Sequence, residues 1–309
     1  MKSKSDYFAL VFLSFVWAGH LTLVRVIGAF LPVNTTGACV RAATCIILTA
    51  ALAAAHRLPA LRIASAKIGL LLVCVGGLGF LLDFFSFLGL TYADSNTGTA
   101  LLKTDVLFSA LLTALVFKKG ARFRPRDWGV TLAMLFGVLL ILDIDLAHLH
   151  WKATDFYFIL SALFVTLNAF LIQHLQHRHG LSNDTIAFYN NLFTMLIFAV
   201  FALMFENGAF SLSRLTLRQY LPLLAAGATQ SLIYLYYYRS LSVFPVWFVK
   251  SILLLMPVFS MVINFLAFQT IPTPQHLLGT AIVVGCAAHM LYAHRHDGRE
   301  DGTGVCSRG

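Results

Sequence analysis

Ten apolar stretches of membrane-spanning length are the feature of this sequence that most constrains its fold. A helix crosses the hydrocarbon core of a bilayer in about 20 residues, and Gly, Pro and clustered charges mark the ends of the stretches. Of the 309 residues, 59% are hydrophobic and 11% are charged, whereas soluble domains carry about 25% charged residues. The sequence therefore predicts an all-α integral membrane protein with ten transmembrane helices. These spans, numbered 1 to 10, are predicted near residues 6–28, 32–55, 67–91, 93–117, 128–146, 155–177, 184–205, 218–240, 243–267 and 273–293.

The net charge of +9 comes from basic residues in the short loops between apolar stretches. These residues form no basic, aromatic-rich domain, so we predict no nucleic-acid partner. With a cytoplasmic N-terminus, the inner side, loops and termini together, holds fifteen Lys and Arg residues, and the outer side holds three, namely Lys152, Arg214 and Arg218. This bias predicts that both termini are cytoplasmic, in a cell membrane such as the bacterial inner membrane. The polar, Gly-rich tail 294–309 is predicted to be disordered.

The two halves of the chain, 1–150 and 151–293, resemble each other at a nearly constant shift. Five pairs match at a shift of 151, and three more match at 149. Each half would hold five spans, and an odd number of spans turns the second half upside down. The predicted architecture is therefore two inverted five-helix repeats, which places a binding site near the bilayer midplane. The pairs at 151 are Gly76 with Gly227, Leu90 with Leu241, Phe108 with Phe259, Ser109 with Ser260, and Phe117 with Phe268.

Several motifs give the sequence a resemblance to the drug/metabolite transporter superfamily, in its ten-helix EamA-type branch. The matching elements are Trp17-Ala18-Gly19-His20 followed by Arg25, Arg41, Met256-Pro257-Val258-Phe259, and the spaced glycines of spans 5 and 10. The resemblance implies a transporter, and export more often than import. Three departures stand out: span 4 has no proline in Lys103–Val106, the Glu that often ends spans 4 and 9 is replaced by Lys118-Lys119 and Gln269, and His20 replaces the usual Asn.

Charged residues inside the apolar spans are the candidates for function, because a charge in a lipid-facing helix centre costs about 2.5–3.5 kcal/mol. Asp83 in span 3 and Lys103 in span 4 lie at similar depth if the two spans form a hairpin, so they could pair. Asp105 is about 200° around the helix from Lys103 and needs another partner, such as His20 or Lys250. Either these groups form fixed ion pairs, or Asp83 and Asp105 carry protons during transport.

The remaining site candidates are polar or aromatic residues of other spans. Lys250 either lines the cavity or extends to the inner surface, and Arg41 is equally compatible with structural pairing and substrate contact. Gln230 and Tyr234 share one face of span 8, which gives polar groups and aromatic walls suited to a small molecule. The full predicted substrate site is Trp17, His20, Asp83, Lys103, Asp105, Asn168, Gln230, Tyr234, Trp247 and Lys250.

These features favour a secondary active transporter of a small polar or zwitterionic, amino-acid-like metabolite, coupled to protons. An uncoupled exchanger or facilitator is the near alternative, and an intramembrane lipid-modifying enzyme is the alternative from another class. No phosphate-binding loop, catalytic motif or clear metal-ligand set is present, so we predict no enzyme activity, cofactor or metal. The small-xxx-small pattern of spans 5 and 10 predicts close packing, with a homodimer interface as one use.

Overall fold

The computed structural model describes residues 3–63, 65–92, 101–116, 125–144, 156–206, 215–269 and 271–303. Every regular element in these ranges is helical, which confirms the all-α prediction. The α-helices are α1 (Lys4–Gly28), α2 (Val33–Ala54), α3 (Ala66–Tyr92), α4 (Asp105–Val116), α5 (Pro125–Ile141), α6 (Phe156–His179), α7 (Asn183–Phe205), α8 (Leu217–Val243), α9 (Val246–Ile252), α10 (Met256–Phe268) and α11 (Pro274–Thr303). A short 3₁₀ helix, Leu58–Leu61, lies between α2 and α3.

The helices follow the predicted spans closely. Within the described ranges, seven helical segments are long and apolar enough to cross a membrane, and α4 is a shorter apolar helix. Helices α1 to α8 correspond to spans 1 to 8, α9 and α10 together form span 9, and α11 is span 10. Residues 93–100 and 117 of the predicted span 4 lie outside the described residues. Helix α11 continues to Thr303, ten residues beyond the predicted span and into the segment predicted to be disordered.

Helix ends are fixed by local polar contacts. At the start of α1, the backbone N–H of Ser3 donates to the Asp6 carboxylate at 2.9 Å, and the Ser3 hydroxyl accepts from the backbone N–H of Ser5 at 3.2 Å. This capping box satisfies backbone donors that have no partner within the helix. At the C-terminal end of α6, the next residue is Gly180, which has a φ of 60°. This is the left-handed conformation in which many helices end.

Spans 4 and 9 are both interrupted in their interior. Lys103 and Thr104 form a turn directly before α4, and hydrogen bonds there run to the third preceding carbonyl, from Thr104 to Leu101 and from Val106 to Lys103. In span 9 the 3₁₀ segment Leu253–Leu255 separates α9 from α10. Adding 151 to Lys103 and Thr104 gives residues 254 and 255. The two interruptions therefore coincide at the shift of 151 at which the sequence predicts that the two halves match.

The packing of the helices repeats between the halves. Helix α1 packs chiefly on α8 and α10, and α6 packs chiefly on α3 with α4 beside it. Likewise α2 packs on α7 and α8, and α3 packs on α6 and α7. Exchanging each span with the one five positions along the chain leaves this pattern unchanged. Spans 2 and 7, 4 and 9, and 5 and 10 then pack against their own counterparts.

One side-chain contact recurs in detail at Gly76 of α3 and Gly227 of α8. A Cβ on Gly76 would collide with Phe193 of α7, and the Gly76 carbonyl accepts a hydrogen bond from Thr194 at 2.9 Å. A Cβ on Gly227 would lie 2.6 Å from the Ala43 Cβ of α2, and the Gly227 carbonyl accepts from Thr44 at 3.3 Å. The same contact is thus made twice, with its members 150 or 151 residues apart.

Helices α2 and α7 lie antiparallel and are joined near both ends. At one end the Glu206 carboxylate, which follows α7, accepts from the backbone N–H groups of Asn34 and Thr35 at 2.6 and 2.8 Å. At the other end the Arg57 guanidinium lies 2.7 Å from the Asp184 carboxylate. A negative charge at the start of α2 also interacts favourably with the helix dipole.

The small residues of α5 and α11 form a close contact within the chain. A Cβ on Gly137 would lie 2.9 Å from the Gly279 carbonyl oxygen, and a Cβ on Gly279 would lie 2.6 Å from the Gly137 carbonyl oxygen. Only a glycine on each helix permits this approach. A Cβ on Gly129 or Gly285 would meet no other atom within 4 Å. The predicted homodimer through spans 5 and 10 stays a prediction, since Gly137 and Gly279 serve packing inside the chain.

Candidate functional site

An ion pair between α4 and α9 lies beside the two helix interruptions. Asp105 is the first residue of α4, and its carboxylate lies 2.9 Å from the Lys250 ammonium. The Lys250 side chain is 1% exposed and that of Asp105 is 13% exposed. The structure thus selects Lys250 over His20 as the partner of Asp105. Lys250 is turned into the protein, so the interpretation in which it extends to the inner surface is wrong.

Lys103 lies two residues before Asp105, in the turn that precedes α4, but it pairs differently. Its ammonium donates to the Met256 sulfur at 3.2 Å, at the start of α10. Met256 is the residue 151 positions after Asp105. In the described part of the chain, no carboxylate lies within ion-pair distance of Lys103. A thioether is a weak, uncharged acceptor, so it does little to balance the positive charge.

A second charged cluster joins four helices around Arg41. The Arg41 guanidinium pairs with the Asp83 carboxylate, and it also donates to the Tyr234 hydroxyl and, at 2.9 Å, to the Asn191 carbonyl oxygen. The Arg41 side chain is 6% exposed and that of Asp83 is 22% exposed. These contacts connect α2, α3, α7 and α8. Since all three partners accept from one guanidinium, Arg41 organises the cluster.

The predicted pairing of Asp83 with Lys103 is wrong, because Asp83 pairs with Arg41. The prediction assumed that spans 3 and 4 lie side by side as a hairpin. In the structure α3 packs chiefly on α6 and α7, whereas α4 packs on α6 and α9. Neighbours along the chain are therefore not the main packing partners here.

Aromatic side chains of α8 lie between the two charged clusters. Tyr234 contacts the Arg41 cluster, and its ring centre is 5.1 Å from that of Tyr238. Tyr237 lies one residue further along, with its ring centre 5.4 Å from the Lys250 ammonium. The indole of Trp17 meets Tyr237 edge-on at 5.3 Å. Trp17 and Tyr234, both predicted site residues, are thus brought to the two clusters.

Three further predicted residues, His20, Gln230 and Asn168, are buried in the bundle interior. The His20 ring nitrogen Nδ1 is 3.0 Å from the Thr229 hydroxyl of α8, and Gln230 is the next residue of that helix, also buried. Asn168 of α6 is 5% exposed, and its carbonyl oxygen accepts no hydrogen bond from any other described residue. A buried acceptor without a donor costs free energy that a bound molecule would recover.

Trp247 belongs to an aromatic group near the start of α9. Its ring centre is 5.7 Å from that of Phe248 and 6.4 Å from that of His294 in α11. The ring centres of Phe248 and His294 are 4.2 Å apart, and the Phe244 ring packs beside that of Phe248. The structure therefore places Trp247 in a packed aromatic cluster, one turn before Lys250.

Reasoning from the sequence missed the Asn190-Asn191 doublet of α7. Asn191 accepts from Arg41 at 2.9 Å, and Asn190 donates to the Tyr238 hydroxyl at 2.5 Å. Asn191 therefore binds Arg41 of the charged cluster, and Asn190 binds Tyr238 of the aromatic side chains of α8. The available signal was two adjacent amide side chains in an apolar span, where polar residues are uncommon and tend to face other helices.

Comparisons with known proteins agree with this fold. A crystal structure of a protein that is 19% identical superposes with a TM-score of 0.77, covering 95% of this chain and 99% of the other. At this identity the similarity shows the fold alone. No curated protein matches the sequence. Residues 152–292, which contain α6 to α10 and most of α11, match the model of the EamA-like transporter family, which confirms the resemblance of this integral membrane protein to that family over those residues.

Proposed function

We propose that this chain is a secondary active transporter that moves a small polar or zwitterionic, amino-acid-like metabolite by alternating access, coupled to protons. The observation that carries the proposal is the Asp105–Lys250 pair, which lies beside the interruptions of both span 4 and span 9. Secondary transporters commonly bind substrates and coupling ions where such interrupted helices meet inside the membrane.

The recurring contacts of the two halves support an inverted-repeat architecture, 1–150 and 151–293. The Gly76 and Gly227 contacts are equivalent, and the counterpart helices α2 and α7 are antiparallel. In such folds one half moves against the other around a site at their interface. Arg41–Asp83 joins spans 2 and 3, whose counterparts, spans 7 and 8, also pack on each other. Lys250–Asp105 joins spans 9 and 4, which are each other's counterparts. Both pairs are therefore well placed for a site at the interface of the two halves.

Asp105 and Asp83 are the proposed proton carriers. Each carboxylate is paired with a buried cation. If the carboxylate took up a proton, the positive charge of that cation would be left without a partner. Such a change destabilises one arrangement of the helices and favours another. This link between protonation and packing is what a proton-coupled transporter requires. The proposed direction is export, which the EamA resemblance favours, and the proposed orientation has both termini in the cytoplasm.

The test begins with metabolite profiling of cells with and without the protein, followed by uptake of the identified metabolite into proteoliposomes. We expect a pH gradient to drive accumulation, and Asp105→Asn to abolish the gradient-driven part. The matched control is Asp143→Asn, an exposed aspartate after α5 whose positive φ of 55° asparagine tolerates. Accumulation that ignores the pH gradient would identify an uncoupled exchanger or facilitator instead.

A further inference from the structure

Among the residues that the structure describes, the charges held inside the bundle do not balance. Away from the ends of the described spans, the cations are Arg41, Lys103 and Lys250, and the carboxylates are Asp83 and Asp105. Both carboxylates are taken, one by Arg41 and one by Lys250. Within the described ranges, Lys103 is therefore the cation in excess. A charge without a counter-charge is costly in such surroundings.

The surroundings of Lys103 offer further groups to an anion. Lys103 lies two residues from Asp105, whose partner Lys250 carries a second positive charge at the same interrupted region. Tyr237 packs its ring against Lys250, is 5% exposed, and its hydroxyl donates no hydrogen bond to another described residue. A tyrosine hydroxyl can donate to an anionic oxygen, and lysine binds carboxylate or phosphate as a point charge.

We infer that Lys103 binds an anionic oxygen group of the transported molecule, a carboxylate or a phosphate, with the Tyr237 hydroxyl as the second donor. This inference rests on the proposed transport function and narrows its substrate class to molecules that carry such a group. The anionic group supplies the counter-charge that no described residue gives to Lys103. A purely cationic substrate would instead add to the excess of positive charge.

The test is thermal unfolding of the purified full-length protein in detergent, with sodium acetate, sodium succinate or sodium phosphate added. Sodium chloride at equal ionic strength is the reference, and putrescine hydrochloride is the cationic probe. We expect one or more of the three anions to raise the unfolding midpoint by about 2–4 °C or more, and putrescine to have no such effect. Comparing acetate and succinate with phosphate distinguishes a carboxylate from a phosphate.

Three variants make the test specific. Lys103→Gln should lose the shift, whereas Lys103→Arg, which keeps the charge, should retain part of it. Lys67→Gln is the matched control, because Lys67 is an exposed lysine in the first turn of α3. The midpoint of Lys103→Gln without added anion reports whether that variant folds.

Stabilisation of Lys103→Gln equal to that of the unaltered protein would overturn the inference. So would stabilisation by putrescine alone, or no response to any of the three anions. Anion binding at Lys103 without gradient-driven transport would leave this inference standing and remove the proposed coupling. Gradient-driven transport of a cationic metabolite would overturn this inference and leave the proposed coupling standing. The two failures are therefore distinguishable.

Discussion

The Lys250 ammonium and the Asp105 carboxylate are paired at 2.9 Å across two spans, each interrupted beside the pair. The turn at Lys103 and Thr104 directly precedes Asp105, and the 3₁₀ segment Leu253–Leu255 begins three residues after Lys250. The pair thus connects the two places where spans 4 and 9 depart from regular α-helix.

Removing one member of this pair should destabilise the protein more than removing both. Asp105→Asn leaves the Lys250 charge buried without a partner, and Lys250→Met does the same to Asp105. Breaking a buried pair costs about 3–5 kcal/mol, whereas replacing both charges by uncharged groups is often nearly neutral. We therefore expect Asp105→Asn with Lys250→Met to recover much of the unfolding midpoint lost in each single variant, measured by thermal unfolding in detergent. Additive losses in the double variant would contradict a direct interaction.

Arg41→Lys should be damaging although it keeps the positive charge. The guanidinium serves Asp83, Asn191 and Tyr234 together, and an ammonium on a flexible stem does not reproduce that fork. Each buried group left without a partner costs about 1–3 kcal/mol, so the unfolding midpoint should fall by several degrees. Arg25→Lys is the control, because Arg25 is exposed near the end of α1. Equal midpoints for the two variants would show that only charge matters at Arg41.

Glycines of α5 should differ sharply in their tolerance of alanine. A Cβ at Gly137 would lie 2.7 Å from a methyl group of Val283 and 2.9 Å from the Gly279 carbonyl oxygen, whereas at Gly129 no other atom lies within 4 Å. Overpacking of this kind costs about 1–3 kcal/mol. Alanine for an exposed helical glycine gains about 0.5–1 kcal/mol. Unfolding midpoints should therefore fall for Gly137→Ala and stay level or rise for Gly129→Ala. A fall of equal size in both would refute the assigned packing.

Gly227→Ala should be rescued by a second substitution on the facing helix. The added methyl group would meet the Ala43 Cβ at 2.6 Å, so Ala43→Gly removes the obstacle. We expect the single variant Gly227→Ala to lower the unfolding midpoint and the double variant to restore most of the loss. Gly76→Ala should not respond to Ala43→Gly, because its own obstacle is Phe193. Rescue of both glycine variants by Ala43→Gly would mean that the effect is not local.

The orientation predicted from the loop charges can be tested by cysteine labelling in a background without the native cysteines. Leu58 lies in the loop between spans 2 and 3 and is 44% exposed, and Ile271 lies between spans 9 and 10 and is 85% exposed. With a cytoplasmic N-terminus, Ile271→Cys should react with a membrane-impermeant maleimide in intact cells. Leu58→Cys should react only after permeabilisation. The opposite labelling pattern would reverse the topology.

The course of the spans could be read from the sequence, because each apolar stretch must satisfy its own backbone as a helix in lipid. The arrangement of the spans could not. Both lipid and neighbouring helices favour apolar side chains, so periodicity does not reveal which face of a span meets protein. That is why Asp83 was assigned to Lys103 of the next span, while its partner Arg41 lies on α2. The Asp105–Lys250 contact was among the alternatives, but only packing could select it over His20.

The double attachment of α2 to α7 restricts how this protein can change shape. Glu206 holds the start of α2, and Arg57 with Asp184 holds its other end. Two helices that are joined near both ends cannot rotate apart unless the contacts at one end break. While the contacts at both ends are intact, α2 and α7 move together as one rigid unit, and the other helices tilt relative to it.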